Sequence, residues 1–259
     1  MKALFQDKPF ICPKECPNGK AVKSLTQALL DRRATPHFKP DAVPGEYLET
    51  ILQFGAQAPS GYNLQPWRFI VVRDKENRQR LKAAACDQEK VAEAPVVIIA
   101  FAIRDDWKNY LDAIFDESVR RGCAKPNMVP ELKKQASEYL EKDIPQPVWL
   151  NRHTMIAVTT MMLVAETYGL DTAPMEGFDP AAVRNEFGLP ENAEVVALLA
   201  VGFAQEPDKP YGGRFELSEI VHDEHFGKPW ESRWKHADHL SRSMFDQIER
   251  KATEPVAPK

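Results

Sequence analysis

Two adjacent arginines, Arg32 and Arg33, precede Ala34 in the segment RRATPHF, at the end of a predicted helix. A guanidinium presents its N–H donors in a planar fork that matches the oxygens of a phosphate. The helix dipole also favours cations at a helix C-terminus without any ligand, and on spacing alone this second interpretation is the stronger. Arg214, which follows two glycines in YGGRF, is equally open between a phosphate ligand and a surface arginine.

The segment PSGYNLQPW, residues 59–67, combines amide side chains with turn-forming residues. Asn63 and Gln65 can donate and accept hydrogen bonds at the edge of a heterocycle. Ser60 adds a hydroxyl group, and Gly61 lets the backbone approach a ligand closely. Two prolines and a glycine break the flanking patterns, so the segment is predicted to be a shaped loop. Its polarity favours a binding role over a purely structural turn.

A third segment, APMEGF at residues 173–178, is predicted to be a loop after a long apolar helix. Such a loop can direct backbone N–H groups towards a ligand. The alternative is an ordinary connection between two helices.

Hydrophobic periodicity predicts the elements that must position these segments. The stretch 143–149, DIPQPVW, is predicted to be a connector, and the helix after it is apolar nearly all round, which is typical of a core or a subunit interface. Strands and helices alternate along the chain, which favours one αβ domain with two terminal extensions. Helices are predicted at residues 21–32, 44–54, 75–85, 105–121, 130–142, 151–168 and 180–187, and strands at 69–72, 96–102 and 195–202.

Three segments resemble, in this order, blocks of the flavin-dependent nitroreductase family: RRATPHF, PSGYNLQPWRFIVV and residues 169–203. The segment with Arg214 resembles the family's closing phosphate contact. The resemblance covers roughly residues 25–230. It implies an α+β fold: a three-layer αβα sandwich whose central, mostly antiparallel sheet is flanked by helices, in an intertwined homodimer with two FMN sites at the interface. The implied organisation is an irregular N-terminal arm at 1–20, an FMN-binding domain at 21–230 and a charged C-terminal helical extension at 231–259.

The resemblance also implies roles for individual residues. Arg32 and Arg214 would hold the FMN phosphate, Arg33 would lie near the pyrimidine end, and Gln88 would reach the pyrimidine edge. Ala34 stands where the family usually has a serine, and Pro36 where many members have a basic residue. The partner subunit would contribute Pro59, Ser60, Gly61 and Asn63. The segment Pro174, Met175, Glu176 and Gly177 would pass beside the flavin ring, with the N–H of Glu176 or Gly177 near N5.

The implied activity is that of an FMN-dependent oxidoreductase that takes hydride from NADH or NADPH and reduces nitroaromatic, quinone or related acceptors by a ping-pong mechanism. The flavin carries the chemistry, so no catalytic side chain is predicted. Trp107, Tyr110 and Phe115 are candidate pocket walls in a helical lid at 105–142. The alternatives are reductive dehalogenation, flavin-consuming dimethylbenzimidazole synthesis and a flavin-binding protein without turnover.

Composition argues against several other classes of protein. The net charge is -4, so no strong basic field is available for nucleic acid. The longest apolar run, residues 96–103, is too short to span a bilayer, and four cysteines are too few for a disulfide scaffold, so we expect a cytoplasmic protein that is not bound to a membrane. His222 with His225, and His236 with His239, have H-x2-H spacing, but their charged surroundings favour a solvated tail, and no metal site is predicted.

Overall fold

The computed structural model describes residue 5, residues 10–206 and residues 209–231 of the chain. Its sheet has four strands, β1 (Trp67–Val72), β2 (Val96–Ile103), β3 (Asp171–Met175) and β4 (Ala193–Gly202), in the order β1-β2-β4-β3. Every neighbouring pair is antiparallel, and Ile99 of β2 lies opposite both Ile70 and Leu198. The predicted strands at 69–72, 96–102 and 195–202 are therefore confirmed within one antiparallel sheet.

Helices cover both faces of this sheet, and several begin at residues that favour a helix start. Ser24, Asp74 and Asp179 each accept a hydrogen bond from a first-turn N–H group, which is the usual role of an N-cap side chain. A π-helical turn, Tyr139–Asp143, directly follows the helix Val129–Glu138. The helices are α1 (Leu25–Asp31), α2 (Gly45–Gly55), α3 (Lys75–Ala84), α4 (Glu89–Glu93), α5 (Trp107–Arg120), α6 (Val129–Glu138), α7 (Gln146–Thr167), α8 (Pro180–Glu186) and α9 (Leu217–Ile220).

Two hydrophobic cores lie on opposite faces of the sheet. Val97 and Ile99 of β2 pack in one core with Leu81 of α3 and with residues of α4 and α8. Ile98, which points the other way, packs in a second core with Met161 of α7 and with residues of α2. Alternate residues of one strand thus serve different helical layers, as the period of a strand requires. The predicted three-layer αβα sandwich is confirmed.

Prolines explain two differences between the predicted elements and the observed ones. Helix α7 begins at Gln146, so residues 146–149 of the predicted connector at 143–149 are helical. Pro147 stands in the first turn, where a missing N–H costs no hydrogen bond. The predicted loop at 173–178 begins with three residues of β3, because Pro174 is tolerated in a strand at the edge of a sheet.

Helix α7 buries one face, through residues such as Val158 and Met161, against α2 and the sheet. Its Ile156 nevertheless keeps 39% of its surface exposed. The adjoining helix α1 exposes Leu25 and Leu29, 58% each. Within one chain, the core therefore buries only part of the apolar surface of α7.

The N-terminal arm is held by hydrogen bonds to its carbonyl groups. Tyr47 donates to the carbonyl oxygen of Glu15 at 2.9 Å, and Tyr168 donates to that of Pro13 at 3.2 Å. The chain divides into two compact units, residues 1–209 and 210–259. In the second unit, His222 and Pro229 form an isolated antiparallel bridge after α9.

The predicted C-terminal helical extension, with His236 and His239, lies almost wholly outside the described residues, as does most of residues 1–9. Within the described ranges, no helix has both the length and the apolar character needed to cross a membrane. The same part of the chain contains no group of three or more His, Cys, Asp or Glu residues suited to holding a metal ion.

Candidate functional site

The segment that carries the paired arginines lies along the outer edge of β3. Ala34 forms a parallel bridge with Thr172, and the N–H of Thr35 donates to the carbonyl oxygen of Thr172 at 3.1 Å. Because β3 is an edge strand, its outer backbone groups are available for this pairing. The fold thus brings the first and third sequence segments side by side.

The carboxyl end of β3 meets a further predicted site residue. Gln88, at the start of α4, donates from Nε2 to the carbonyl oxygen of Gly177 at 2.8 Å and to that of Ala85 at 3.2 Å. A Cβ atom at position 177 would lie 3.4 Å from Gln88 Nε2. Met175 is buried, whereas Glu176 and Gly177 are exposed. Gln88 and residues 174–177 therefore form one connected group with the Arg32–Ala34 segment.

The two arginines differ in how their guanidinium groups are used. Arg33 donates from Nη1 to the carbonyl oxygens of Leu30 at 2.7 Å and Arg32 at 3.0 Å, which closes the end of α1. Arg32 is half-buried, and its guanidinium has no hydrogen-bond or ion-pair partner among the residues that the structure describes. Arg32 is thus a cation that the described part of the protein leaves uncompensated.

Two buried hydroxyl groups lie at the same junction. Thr35 Oγ1 and Thr172 Oγ1 have no hydrogen-bond partner within the described residues, although both threonines are almost fully buried. Buried polar atoms in proteins are normally paired, so such atoms mark a place where a further polar group fits. The uncompensated cation and these hydroxyls suit an anionic, hydrogen-bonding ligand such as a flavin phosphate.

The loop at residues 59–66 has an unusual backbone. Gly61–Asn63 form a single 3₁₀ turn, and Tyr62, Asn63 and Gln65 have φ values of 53°, 56° and 46°. Non-glycine residues in this left-handed region carry a conformational cost, which surrounding contacts must offset. Asn63 is exposed, as a residue that reads a ligand edge must be before binding.

Side chains within the loop supply part of that support. The N–H of Gln65 donates to Ser60 Oγ at 2.9 Å, and Gln65 Nε2 donates to the carbonyl oxygen of Asn63 at 3.1 Å. The Gln65 amide, a candidate reader of a heterocycle, is therefore used to shape its own loop. Pro59, which begins the loop, is exposed.

Sequence analysis missed one residue that holds this loop. His153 of α7 accepts a hydrogen bond at Nε2 from the N–H of Gly61 at 3.1 Å, and its Nδ1 lies 2.8 Å from the carbonyl oxygen of Trp149. The contact with Gly61 joins positions 92 residues apart, so no local sequence pattern predicts it. In sequence, His153 stands between Arg152 and Thr154 on a mixed stretch of helix, and nothing in that setting distinguishes it.

A cavity of about 250 Å³ lies next to the same loop. Arg68 lines it; its Nη2 donates to Asp106 at 2.7 Å, and its guanidinium carbon lies 5.3 Å from the centre of the Tyr110 ring. Of the three candidate pocket walls, only Tyr110 lines this cavity; Trp107 and Phe115 are each 5% exposed and pack in the interior. The lining residues are Phe5, Leu64, Gln65, Trp67, Arg68, Tyr110, Ala113 and Ile114.

Arg214 belongs to the second unit. It is exposed, donates from Nη1 to the carbonyl oxygen of Gly213, and has its guanidinium carbon 5.7 Å from the centre of the Tyr211 ring. Gly213 has a φ of 77°, a conformation that favours glycine. The role of Arg214 at a phosphate stays a prediction.

Similarity to known proteins agrees with this arrangement. The nitroreductase family model matches residues 29–203. A protein of Thermus thermophilus named NADH dehydrogenase is 36% identical over 203 residues, covering 77% of this chain and 96% of its own. A Bacillus subtilis protein assigned as NAD(P)H nitroreductase YdgI is 30% identical, covering 71% of this chain and 90% of its own.

Solved structures share the same architecture. A protein of Exiguobacterium sibiricum, assigned as a nitroreductase and solved in complex with FMN, superposes with a TM-score of 0.68 at 25% identity, covering 77% of this chain and 96% of its own. The chain has the fold of these nitroreductase structures, an antiparallel αβα sandwich, and its polar candidate-site residues lie along one edge strand. The chain is a member of the nitroreductase family, and it is an oxidoreductase.

Proposed function

We propose that the protein is an FMN-dependent oxidoreductase that takes hydride from NADH or NADPH and passes the electrons to a small acceptor of the nitroaromatic or quinone type. The observation that carries the proposal is the group formed along β3, where Arg32, Ala34, Gly177 and Gln88 come together from separate parts of the sequence. A similar protein solved with FMN supports the choice of flavin.

The residues of this group would bind and orient the cofactor. Arg32, which no described residue neutralises, would pair with the phosphate. Gln88 donates to the carbonyl group of Gly177, so it would fix the backbone at residues 176 and 177 beside the ring while offering its amide oxygen to the pyrimidine edge. Bound FMN would supply hydride acceptance and electron transfer, which no side chain here can provide.

A homodimer would complete the site. In this proposal Pro59, Ser60, Gly61 and Asn63 reach the flavin of the partner subunit, and Arg214 binds a flavin phosphate. The exposed apolar side chains of Leu25, Leu29 and Ile156 support association through α1 and α7, since exposed apolar groups on adjoining helices favour burial against a partner. A cytoplasmic location also belongs to the proposal.

The activity is tested by mixing the flavin-loaded protein with NADH or NADPH in the absence of oxygen. We expect the visible absorbance of the oxidised flavin to bleach and then to recover when an acceptor such as a quinone is added. A flavin that stays oxidised with both nicotinamides would contradict the proposed activity and favour a binding protein without turnover.

The phosphate role of Arg32 is tested with FMN and riboflavin, which differ only in the phosphate. We expect Arg32→Ala to weaken FMN binding about tenfold to a hundredfold, since a charge-assisted hydrogen bond contributes roughly 1.5–3 kcal/mol, and to leave riboflavin binding nearly unchanged. Arg73→Ala, which removes an exposed arginine outside the group, serves as the control and should affect neither ligand. Equal losses for FMN and riboflavin would show that Arg32 acts on the ring or on folding.

A further inference from the structure

We infer that His153 is a positioning residue: its neutral imidazole holds the loop at residues 59–66 in the shape that binds flavin, and protonation of the imidazole releases it. The inference rests on the proposed function of that loop. The inference goes beyond the proposed function by assigning a role to a residue of α7 and by making flavin affinity depend on pH.

The two hydrogen bonds of the imidazole define its protonation state. The N–H of Gly61 is a donor, so Nε2 must accept; the carbonyl oxygen of Trp149 is an acceptor, so Nδ1 must carry the proton. Only the neutral tautomer with hydrogen on Nδ1 satisfies both partners. An imidazolium would direct a second N–H towards the N–H of Gly61, and that bond would be lost.

The close contact between Gly61 and His153 depends on the packing of Trp149 and on the glycine itself. The His153 ring lies against the ring of Trp149, with centroids 4.2 Å apart, and Trp149 is buried. A Cβ atom at position 61 would lie 3.3 Å from Trp149 Nε1 and 3.7 Å from His153 Nε2. The absence of a side chain at Gly61 therefore lets the loop backbone lie directly on this pair of rings.

The hydrogen bond to His153 supports a strained loop from outside. Three of its non-glycine residues, Tyr62, Asn63 and Gln65, are in the left-handed region, and the internal hydrogen bond from Gln65 to Ser60 closes only the loop itself. The bond from Gly61 to His153 ties the loop to a helix of 22 residues. Without this hydrogen bond, less of the conformational cost of the loop backbone is offset. The proposed function places Ser60 and Asn63 of this loop at the flavin.

Next in sequence to the two bonded residues are a titratable and a charged side chain: Tyr62, which follows Gly61 on the loop, and Arg152, which precedes His153 on α7. Within the described ranges neither forms a hydrogen bond or ion pair with His153, whose polar partners there are the backbone groups of Gly61 and Trp149. No carboxylate in this part of the chain is paired with the ring to hold a proton on Nε2.

The test compares flavin dissociation constants at pH 8 and about pH 5.5, which brackets the range in which imidazoles titrate. Riboflavin is the probe, because the phosphate of FMN itself titrates near pH 6. We expect the wild-type protein to lose affinity about fivefold to tenfold on acidification, the effect of one hydrogen bond to a neutral group.

Two substitutions separate positioning from mere support. The amide of His153→Gln offers an acceptor oxygen and a donor nitrogen at similar reach, so this variant should bind riboflavin at both pH values nearly as the wild type does at pH 8. His153→Ala should bind weakly at both. His225→Gln, which removes an exposed histidine of the second unit, is the matched control and should keep the wild-type pH profile.

A His153→Gln variant with the same acid loss as the wild type, or a His153→Ala variant with unchanged affinity at pH 8, would overturn the inference. Hydrogen exchange of the Gly61 amide in flavin-free protein provides a second readout: at pH 8 exchange should be faster in His153→Ala than in His153→Gln. Equal exchange in the two would also overturn it. Failure of the wild type to bind any flavin at pH 8 would instead refute the proposed function, and the exchange measurement would still decide the role of His153.

Discussion

The ion pair between Lys23 and Glu166 joins the entry to α1 to the end of α7. Lys23 Nζ lies 2.6 Å from Glu166 Oε1 and 3.1 Å from Asp31 Oδ2, and the Lys23 N–H donates to the carbonyl oxygen of Thr167. The side chain of Glu166 is only 7% exposed. Replacing Lys23 by methionine keeps the apolar stem but leaves a buried carboxylate without its cation.

The expected loss in the free energy of unfolding follows from this burial. Removing one partner of a fully buried pair costs about 3–5 kcal/mol. The Lys23 side chain is 31% exposed, so water can reach the carboxylate once the ammonium is gone, and we expect about 2–4 kcal/mol for Lys23→Met. Burial lowers the pKa of Lys23, but hydrogen bonds to Glu166 and Asp31 raise it more, and the net pKa is raised. The contribution is therefore present below the ordinary lysine pKa and is lost as the pH rises through the raised value.

Urea unfolding at fixed protein concentration measures the effect, since association would make stability depend on concentration. Lys20→Met removes an exposed lysine nearby and should cost less than about 0.5 kcal/mol. Adding Glu166→Leu to Lys23→Met should recover most of the loss, because no charge then stays buried. A Lys23→Met loss no larger than that of Lys20→Met, or a double variant whose loss equals the sum of the single losses, would refute the reasoning.

Two further predictions concern packing and alkaline stability. Gly202→Ala should lower stability by about 1–3 kcal/mol in a thermal unfolding measurement, because a Cβ atom would lie 2.6 Å from Cδ of the rigid Pro95 ring; Gly45→Ala, where nothing lies within 4 Å, should be nearly neutral. Burial raises the pKa of Tyr168 to about 12, so the stability it contributes is present below about pH 10 and is lost as the pH rises towards 12. The difference in urea midpoint between pH 8 and about pH 11.5 should thus be smaller in Tyr168→Phe than in the wild type, and an equal difference would contradict the assignment.

The core strands were predictable because their residues leave little choice of structure. Val96–Ile103 is an unbroken apolar run that is too short for a buried helix, and it forms the central strand β2. β3 was missed because Pro174 normally excludes a strand, and only the order of the sheet shows that it occupies an edge. Proline likewise hid the start of α7, since its place in a first turn cannot be told from a connector by local sequence.

The candidate site was predictable as a set of segments but not as a set of contacts. The turn residues and amide side chains of residues 59–66 predicted a shaped loop, and the loop is present. That Gln88 would bond to Gly177, 89 residues away, and that Gln65 would serve its own loop instead of a ligand, depend on tertiary packing. His153 could not be found because its partner is a backbone N–H, which every residue except proline provides.

Helix α7 connects the two proposals. His153 and Ile156 are three residues apart, so they are neighbours on the helix surface, and one supports the loop while the other is an exposed apolar group. A partner subunit that covers Ile156 would therefore lie next to the loop at residues 59–66. The resemblance to the nitroreductase family implies that this loop contacts the partner's flavin. Association and loop shape would then depend on the same helix, so substitutions at His153 should be judged by flavin affinity and oligomeric state measured on the same samples.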